Sequence, residues 1–368
     1  MRYAVIMAGG SGTRLWPVSV QGEPKQLVRF IPGPDGVPRS LLHIAADRLE
    51  GLVPGAQRLI CTGEVHRGRI KEGIPGITDD QIIGEPMPRD TVNAVGLSAA
   101  ILEKQDPDAV FAVLTADHLI EPEETFRARM ELGYRLVEED PNRLVTFAIE
   151  PTFPATGFGY VKRGTPIEKT DGLAFEVERF VEKPDEATAK SYVDSGEYGW
   201  NSGMFVWRAS TVMRALETFK PEIARGLRTI QKAWGTEKQA EVLAEVFPKL
   251  EKISVDFALM EPATDPDQRG DLQVCTVTMD LDWLDVGSWP SFGETLDADA
   301  QGNAHTGGAI AMDSSGTLTV NRSENHTVCL LGCEDLIVIH TDRATLVMPR
   351  GKAQDLKKLH GTLPDELK

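Results

Sequence analysis

A glycine-rich loop with two nearby cations is the part of the sequence best suited to chemistry. The letters AGGSG follow a short apolar run, and glycine allows backbone N–H groups to approach an anion closely. Arg14 adds a fork of donors that matches phosphate oxygens, and Lys25 adds a mobile point charge. Two cations beside such a loop predict a site for a polyphosphate. The residues expected to contact it are Ala8, Gly9, Gly10, Gly12, Thr13, Arg14 and Lys25.

The loop fits neither of the two common phosphate-binding motifs. The dinucleotide fingerprint would place a third glycine where Leu15 stands. A Walker loop would place Lys and then Ser or Thr directly after Gly12, where Thr13 and Arg14 stand instead. A glycine loop alone is most often an ordinary strand-to-helix turn, and the addition of Arg14 and Lys25 is what favours a phosphate site.

Two aspartates are candidate ligands for a divalent cation. Asp117 follows a predicted strand, and Asp285 lies in the segment LDWLDVGSW. Mg²⁺ is usually bound by one or two protein carboxylates together with phosphates and water. Asp117 could instead cap the helix that follows it, and Asp282 competes with Asp285 for the second position. We expect His118 to hydrogen-bond within its loop rather than to act as a catalytic base.

These motifs resemble those of the sugar-1-phosphate nucleotidyltransferases, whose signature is a first strand followed by G-x-G-T-R-L and then by P-K. The tryptophan in GTRLWP is typical of the branch of this family that uses GTP and mannose 1-phosphate. The likeness extends over nearly the whole chain. Its further blocks are EPMPRDT (85–91), TADH (115–118), GFGYV (157–161), FVEKP (180–184), WNSGMFVW (200–207), SVDFALME (254–261) and LDWLDVGSW (281–289).

The resemblance implies an enzyme that transfers GMP from GTP to α-D-mannose 1-phosphate, giving GDP-mannose and pyrophosphate. It also implies Mg²⁺ or another divalent cation bound by Asp117 and Asp285. The residues that it makes catalytic are Arg14, Lys25, Asp117, Lys183 and Asp285. The nucleotide would further contact Glu85, Arg89, Thr91 and Asp117. The sugar phosphate would contact Gly159, Glu182, Lys183 and Asn201, with Lys183 on the phosphate and Glu182 on sugar hydroxyls.

Two alternatives stay open. The same mechanism could serve another nucleoside triphosphate or hexose 1-phosphate, because a tenfold preference needs only about 1.4 kcal/mol. The chain could also be a non-catalytic regulatory protein that binds a GDP-sugar, although the full set of cations and carboxylates favours catalysis. The sequence departs from its relatives at Val92, where alanine is usual, and at Gln21, where arginine is frequent. No role is carried over from that arginine.

Composition narrows the class of protein. A net charge of −17 argues against nucleic acid as a partner, because a duplex binder normally carries a basic face. No apolar run reaches about 18 residues and the first strand lacks the basic lead of a signal peptide, so we expect no membrane segment and a cytoplasmic location. A fused phosphomannose isomerase domain is not expected, because the chain ends soon after its last β-rich part. The four cysteines are widely scattered and are expected to be reduced thiols.

The elements that must position these residues are predicted from apolar periodicity. Strand-like runs alternate with amphipathic helical runs in the first half, which predicts a Rossmann-like α/β fold with a mostly parallel sheet flanked by helices. Predicted strands are 3–7, 59–61, 81–83, 109–114 and 144–149. Predicted helices are 41–49, 92–103, 123–138, 185–195, 211–219, 221–233 and 238–246. Ligands in such sheets bind beyond the carboxyl ends of the strands.

The later part of the chain shows a different pattern. Residues 156–181 are turn-rich and β-like, and we expect them to carry the sugar site. After Trp289, short apolar runs separated by turn residues predict a small all-β unit, which the resemblance makes β-helix-like although no six-residue period is visible. We therefore predict a catalytic domain over 1–292 and a β-rich unit over 293–368. The resemblance implies that this unit mediates a homodimer.

Overall fold

The computed structural model describes residues 1–10, 12–20, 22–32 and 37–368. Ser11 of the glycine loop and Gln21 lie outside the described residues. The chain forms two compact units. The first unit contains residues 1–9, 45–116 and 120–283, and the second contains residues 10–44, 117–119 and 284–368. The boundary at residue 292 stays a prediction, and packing groups the chain differently because residues 10–44 belong to the second unit.

The elements follow one another in this order along the chain. The strands are β1 (Arg2–Met7), β2 (Arg29–Pro32), β3 (Pro38–Ser40), β4 (Arg58–Gly63), β5 (Ile82–Glu85), β6 (Val110–Thr115), β7 (His118–Glu121), β8 (Arg143–Ile149), β9 (Tyr160–Pro166), β10 (Ala174–Val181), β11 (Tyr198–Arg208), β12 (Gln273–Met279), β13 (Asp282–Asp285), β14 (Ala304–Thr306), β15 (Ala309–Met312), β16 (Leu318–Asn321), β17 (Val328–Leu331), β18 (Leu336–His340) and β19 (Thr345–Pro349). The helices are α1 (Leu41–Asp47), α2 (Arg67–Gly73), α3 (Thr91–Gln105), α4 (Glu123–Glu139), α5 (Glu186–Ser195), α6 (Ala209–Phe219), α7 (Pro221–Ala233), α8 (Gln239–Val246), α9 (Glu261–Thr264), α10 (Trp289–Gly293) and α11 (Leu356–Thr362).

Among the described residues, nine strands of the first unit form one sheet in the order β5-β4-β1-β6-β11-β8-β12-β10-β9. Strands β5, β4, β1 and β6 pair in parallel, as do β8 and β12, whereas β11 and β10 are antiparallel to their neighbours. The predicted α/β fold is therefore confirmed. Strands β11 and β12 were missing from the prediction.

Helix α3 shows why the first unit has a large core. Its residues from Val92 to Leu102 are all buried, so the helix is covered on every side, and it packs against α6 and α7 as well as the sheet. The parallel strands around it, RYAVIM, RLICTG and VFAVLT, have buried and mostly apolar central residues, as expected for strands covered on both faces. This core fixes the carboxyl edge of the sheet.

Strand register places several predicted residues at one edge of that sheet. Met7 pairs with Cys61 and with Thr115, and Gly63 pairs with Glu85. The loop that begins at Ala8 and the end of β5 therefore leave the sheet on the same side. This is the edge at which parallel sheets bind ligands.

The second unit contains short parallel β-strands that form two small sheets. Strands β14, β16 and β18 pair in parallel and β19 closes that sheet in the antiparallel sense, while β15 and β17 form a second parallel pair. Ala304 pairs with Leu318 and Leu318 with Ile337, which are steps of 14 and 19 residues. Unequal steps explain why the sequence shows no six-residue period in this β-helix-like unit.

The core of the second unit also includes the residues that follow the glycine loop. Leu15 and Trp16 pack in one apolar cluster with Trp289, Ile337 and other side chains of the β-rich part. The Trp289 indole N–H donates to the Trp16 carbonyl oxygen over 3.0 Å. The loop is thus anchored by the β-rich part. No helix in the described ranges combines the length and the apolar composition needed to cross a bilayer.

Candidate active site

Three side chains of the second unit that could bind a metal lie close together. One oxygen each from Asp117 and Asp285 and one ring nitrogen of His118 all lie within 4.8 Å of one another. The Val286 N–H donates to the Asp117 carbonyl oxygen over 3.1 Å and so fixes the two chain segments. Asp282, the competing candidate, is exposed at the start of β13 and is not part of this group.

The alternative role of Asp117 as a helix cap does not agree with the structure. Helix α4 begins at Glu123 with Pro122 in the capping position, and β7 lies between Asp117 and that helix. The side chain of Asp117 is therefore available to other groups. Its partner is Lys25, which is only 8% exposed and whose ammonium group contacts the Asp117 carboxylate.

The charge state of Asp117 follows from these contacts. Burial disfavours the ionised form, but the positive charge of Lys25 and the nearby His118 outweigh it, so the pKa of Asp117 lies below its usual value. The His118 Nε2 atom lies 3.7 Å from the Asp117 Oδ1 atom. Asp117 is therefore an anion that carries an ammonium partner.

Asp285 provides the observation that tests whether a metal fits. Its Oδ1 atom is buried and has no hydrogen-bond partner among the described residues, although an unpartnered carboxylate oxygen is costly to bury. Two carboxylates suit Mg²⁺, and an added imidazole also suits the transition metals. The donor set fits a divalent cation.

Arg14 and Asp285 are both close to Gly287. A Cβ atom at Gly287 would lie 2.9 Å from the Asp285 Oδ1 atom and 3.3 Å from the Arg14 Nη2 atom. Only glycine leaves room for both side chains here. Arg14 belongs to a 3₁₀ turn, Thr13–Leu15, that is anchored by the buried Leu15. The structure thus brings Arg14, Lys25, Asp117 and Asp285 close together.

Two glycines of the loop adopt backbone angles that favour glycine. Gly10 has a φ of +109° and Gly12 a φ of +59°, both in the range that favours glycine. A Cβ atom at Gly12 would lie 2.2 Å from the Ser19 Oγ atom and 3.1 Å from the Lys25 backbone nitrogen. At Gly9, by contrast, a Cβ atom would meet no atom within 4 Å. Gly12 is therefore required for packing around Lys25.

In the first unit the predicted sugar residues also come together. A Cβ atom at Gly159 would lie 2.6 Å from the Glu182 Oε2 atom and 3.3 Å from the Asn201 Cβ atom. The Asn201 N–H donates to the Gly159 carbonyl oxygen over 2.8 Å, and the ammonium group of Lys183 contacts the Glu182 carboxylate. Lys183 has a φ of +47°, which is strained for a residue with a side chain and is often found at functional sites.

Asp256 is a member of this group that the sequence did not predict. It begins a π-helical turn, Asp256–Met260, and its Oδ1 atom accepts a hydrogen bond of 3.0 Å from the Asn201 side-chain amide. Burial and the negative charge of Glu182 raise the pKa of Asp256 to about 7. The signal that could have found it is the block SVDFALME, which was noted without a role for its aspartate. We call Gly159, Glu182, Lys183, Asn201 and Asp256 the amide pocket.

The residues predicted to bind the base are divided between two environments. Glu85 is buried at the end of β5, and burial raises its pKa to about 7. The Arg89 side chain contacts the Pro248 carbonyl oxygen, and the Thr91 hydroxyl accepts a hydrogen bond of 2.9 Å from the Val255 N–H. Arg89 and Thr91 therefore hold the segment that leads to Asp256.

Ala8 continues the backbone pairing of the sheet edge. Its N–H donates to the Cys61 carbonyl oxygen over 2.8 Å, and its carbonyl oxygen accepts a 2.9 Å hydrogen bond from the Thr62 hydroxyl. Both backbone groups are engaged within the protein. The next residue, Gly9, lies beside open space, since a Cβ atom there would meet no atom within 4 Å.

The family model described as nucleotidyl transferase matches residues 3–302 of the chain. The chain belongs to this family. A second family model, described as a MannoseP isomerase/GMP-like beta-helix domain, matches residues 307–363 of this nucleotidyl transferase. The family prediction and the prediction of a β-helix-like unit are both confirmed.

Named relatives match over most of the chain. The mannose-1-phosphate guanylyltransferase of Klebsiella pneumoniae is 35% identical over 361 residues, which cover 97% of this nucleotidyl transferase and 73% of the relative. The Xanthan biosynthesis protein XanB of Xanthomonas campestris pv. campestris is 36% identical over 361 residues, which cover 96% of this chain and 72% of the relative.

A solved structure supports the same fold. The crystal structure of a protein from Thermus thermophilus, described as a mannose-1-phosphate geranyltransferase, has a TM-score of 0.82 and 30% identity. The match covers 97% of this chain and 98% of that chain. The α/β fold and its β-helix-like part therefore both occur in a known protein.

Proposed function

We propose that this nucleotidyl transferase transfers GMP from GTP to α-D-mannose 1-phosphate, giving GDP-mannose and pyrophosphate. The observation that carries the proposal is the group formed by Lys25, Asp117, His118 and Asp285 beside Arg14. The names of the relatives supply the specificity for GTP and mannose 1-phosphate. The two alternatives, another substrate pair and a non-catalytic sensor, are outcomes of the test below.

The reaction needs charge more than it needs proton transfer. The attacking group is the phosphate of the sugar phosphate, which is already an anion, and the leaving group is pyrophosphate. No general base is required, so the protein must align two anions and stabilise the charge that develops on phosphate oxygens. This agrees with His118 lying against Asp117 rather than standing free as a base.

The cations of the second unit take the nucleotide phosphates. Arg14 offers paired donors, and Lys25 has a flexible chain whose ammonium group can exchange the Asp117 carboxylate for a phosphate oxygen. The net charge of −17 makes such local cations necessary for binding a polyanion. Gly9 and Gly10 let the backbone approach the phosphates.

Asp117 and Asp285 would hold a divalent cation, with His118 as a third donor within reach. Such a cation, Mg²⁺ in the first instance, would neutralise phosphate charge and fix the geometry of the phosphates. Asp285 is pre-placed for this role because its buried Oδ1 atom lacks a partner among the described residues. Lys25 favours the ionised form of Asp117, which is the form that would bind such a cation.

The amide pocket of the first unit takes the sugar phosphate. The Glu182 carboxylate accepts hydrogen bonds from ring hydroxyls, and Gly159 allows the sugar to approach the backbone. Lys183 is 57% exposed at its side chain and binds the phosphate. Glu85 binds donors of the guanine base, since guanine presents an N1–H and an amine that require acceptors.

A homodimer through the β-rich part remains a prediction. Its support is a row of exposed apolar side chains on β15 and β17, where Met312 pairs with Leu331. A cytoplasmic location also remains a prediction.

The proposal is tested by pyrophosphate release from a panel of four nucleoside triphosphates and three hexose 1-phosphates, with Mg²⁺ and with a chelator. We expect metal-dependent release that is strongest with GTP and mannose 1-phosphate. A different best pair would keep the mechanism and overturn the specificity. No release from any pair, together with measurable binding of GDP-mannose, would overturn catalysis in favour of a sensor.

A further inference from the structure

Asn201 is held at both ends of its side-chain amide. Its Oδ1 atom accepts a 2.7 Å hydrogen bond from the Thr146 hydroxyl and a 3.3 Å hydrogen bond from the Gly203 N–H. Its Nδ2 atom donates to the Asp256 Oδ1 atom over 3.0 Å. A backbone N–H can only donate, so Gly203 requires the amide oxygen on its side and therefore the amide nitrogen on the side of Asp256.

Within the part of the chain that the structure describes, this arrangement leaves one amide hydrogen of Asn201 for a ligand. The Nδ2 atom carries two hydrogens and one of them is used by Asp256. The amide oxygen already accepts from Thr146 and Gly203, so Asn201 can act toward a sugar as a donor. The direction of that donor depends on Asp256.

Asp256 is itself placed by contacts around it. The Val255 N–H, one residue earlier, donates to the Thr91 hydroxyl over 2.9 Å. Its carboxyl faces Glu182, Lys183 and Asn201, and burial together with the charge of Glu182 raises its pKa to about 7 while Lys183 and Asn201 favour its ionised form. Glu261, the residue directly after this turn, accepts from the Glu182 N–H over 3.1 Å. Two hydrogen bonds, from Asn201 to Asp256 and from Glu182 to Glu261, thus link this segment to the rest of the amide pocket.

We propose that Asp256 is the positioning residue that aims the Asn201 amide at a hydroxyl group of the sugar phosphate. The proposal rests on the assignment of the amide pocket to the sugar under the proposed function. Asp256 acts through Asn201 and does not take part in the transfer of the nucleotidyl group. Its effect therefore falls on the affinity for the sugar phosphate and not on the affinity for GTP.

Asp256→Ala and Asp256→Asn test this directly. Asp256→Ala removes the acceptor, and we expect KM for the sugar phosphate to rise about tenfold at every pH, with KM for GTP unchanged within about twofold. In Asp256→Asn the new amide oxygen still accepts from Asn201, but the bond lacks the help of a negative charge. We expect its KM for the sugar phosphate to be a few-fold above the wild-type value at pH 8 and equal to it at pH 6.

The pH dependence of KM for the sugar phosphate distinguishes a positioning role of Asp256 from a general loss of structure. As pH rises from 6 to 8 the Asp256 carboxyl ionises and becomes the stronger acceptor, so the wild-type KM for the sugar phosphate falls by more than that of Asp256→Asn. Ionisation of the substrate phosphate is common to both proteins and cancels in the ratio. Thr146→Val removes a hydrogen bond to the Asn201 amide oxygen. It should raise KM for the sugar phosphate without removing this pH dependence.

The matched control is Asp267→Asn, which removes one negative charge from an exposed position shortly after the same turn. It should leave both KM values and the pH profile unchanged. Equal KM values and equal pH profiles for wild type and Asp256→Asn would overturn the proposal. A parallel rise of both KM values with a lower melting temperature, in Asp256→Ala and Thr146→Val alike, would also overturn it by showing a general structural role.

Failure of this inference is distinct from failure of the proposed function. If wild type shows no turnover with any substrate pair, the proposed function fails, and with it the premise. If wild type is active on a hexose 1-phosphate while the Asp256 variants match it, only the positioning role fails.

Discussion

Carboxyl groups at the candidate sites of the two units have pKa values shifted in opposite directions. In the second unit Lys25 keeps the pKa of Asp117 below its usual range. In the first unit burial raises the pKa of Glu85 and of Asp256 to about 7. A carboxylate with a lowered pKa suits a cation, whereas a carboxyl with a raised pKa suits hydrogen bonds with uncharged groups such as hydroxyls and amines. The comparison supports charge chemistry in the second unit and recognition of base and sugar in the first.

The largest loss of activity is expected when a charged side chain of the second unit's cluster is removed. Asp285→Ala and Lys25→Ala should each lower kcat by at least about 10³-fold while the protein stays folded, because charge stabilisation by metal and cations supplies several kcal/mol in such reactions. The two variants should differ in stability. Asp285→Ala removes a buried oxygen that has no hydrogen-bond partner within the described ranges, so it should keep or raise the melting temperature. Lys25→Ala removes the ammonium partner of Asp117 and should lower the melting temperature.

Steady-state kinetics and thermal unfolding of the same preparations check this pair. Mn²⁺ binding followed by electron paramagnetic resonance gives a readout independent of turnover, and Asp285→Ala should weaken it. Asp282→Ala is the matched control, since this exposed aspartate lies three positions away and outside the cluster. Near-normal rates in a folded Asp285→Ala protein would remove that residue from the mechanism.

In the first unit, neutralising a buried carboxyl group should stabilise the protein at high pH. Glu85 has a folded-state pKa of about 7, above that of the unfolded chain, so the folded protein binds the extra proton between the two values. Its burial therefore costs nothing at low pH and lowers the free energy of unfolding progressively as pH rises toward and through 7. Glu85→Gln should remove this loss and stabilise the protein by up to about 3 kcal/mol at pH 8.5, with little change at pH 4.5.

Urea unfolding at both pH values measures the Glu85 effect. Glu72→Gln, at an exposed position in α2, serves as the control and should be neutral at either pH. An unchanged difference between wild type and Glu85→Gln from pH 4.5 to pH 8.5 would show that folding does not raise the pKa of Glu85. The contrast between the units would then rest on Asp256 alone.

Much of the fold could be predicted from the sequence because continuous apolar runs mark strands covered on both faces. Strand β1 and helix α7 were predicted to within one residue. Strand β12 was missed although QVCTVTM has the β-branched residues typical of a strand. Strand β11 was missed for a different reason, since its polar Asn201 and Ser202 interrupt the apolar pattern in the middle of the strand.

The candidate site was predictable where a motif places its residues near one another in the chain. Gly12, Arg14 and Lys25 belong to one segment, so their spacing carries the information. Asp256 lies 55 residues from Asn201, and its contact depends on a π-helical turn that local propensity does not reveal. The use of Thr91 to hold Val255 also depends on a long-range contact and could not be predicted from its motif.

The smallest effect concerns two glycines of one loop, each in a different unit. Gly12→Ala would place a methyl group 2.2 Å from the Ser19 Oγ atom at a φ of +59°, so we expect a loss of about 2 kcal/mol in the free energy of unfolding and a lower kcat through displacement of Lys25. Gly9→Ala meets open space and should leave stability unchanged, while raising KM for GTP if the nucleotide approaches that backbone. Stability and KM measured on both variants therefore distinguish a packing role from a binding role. Equal stability losses would mean that the loop is constrained as a whole, and that Gly12 has no special part in placing Lys25.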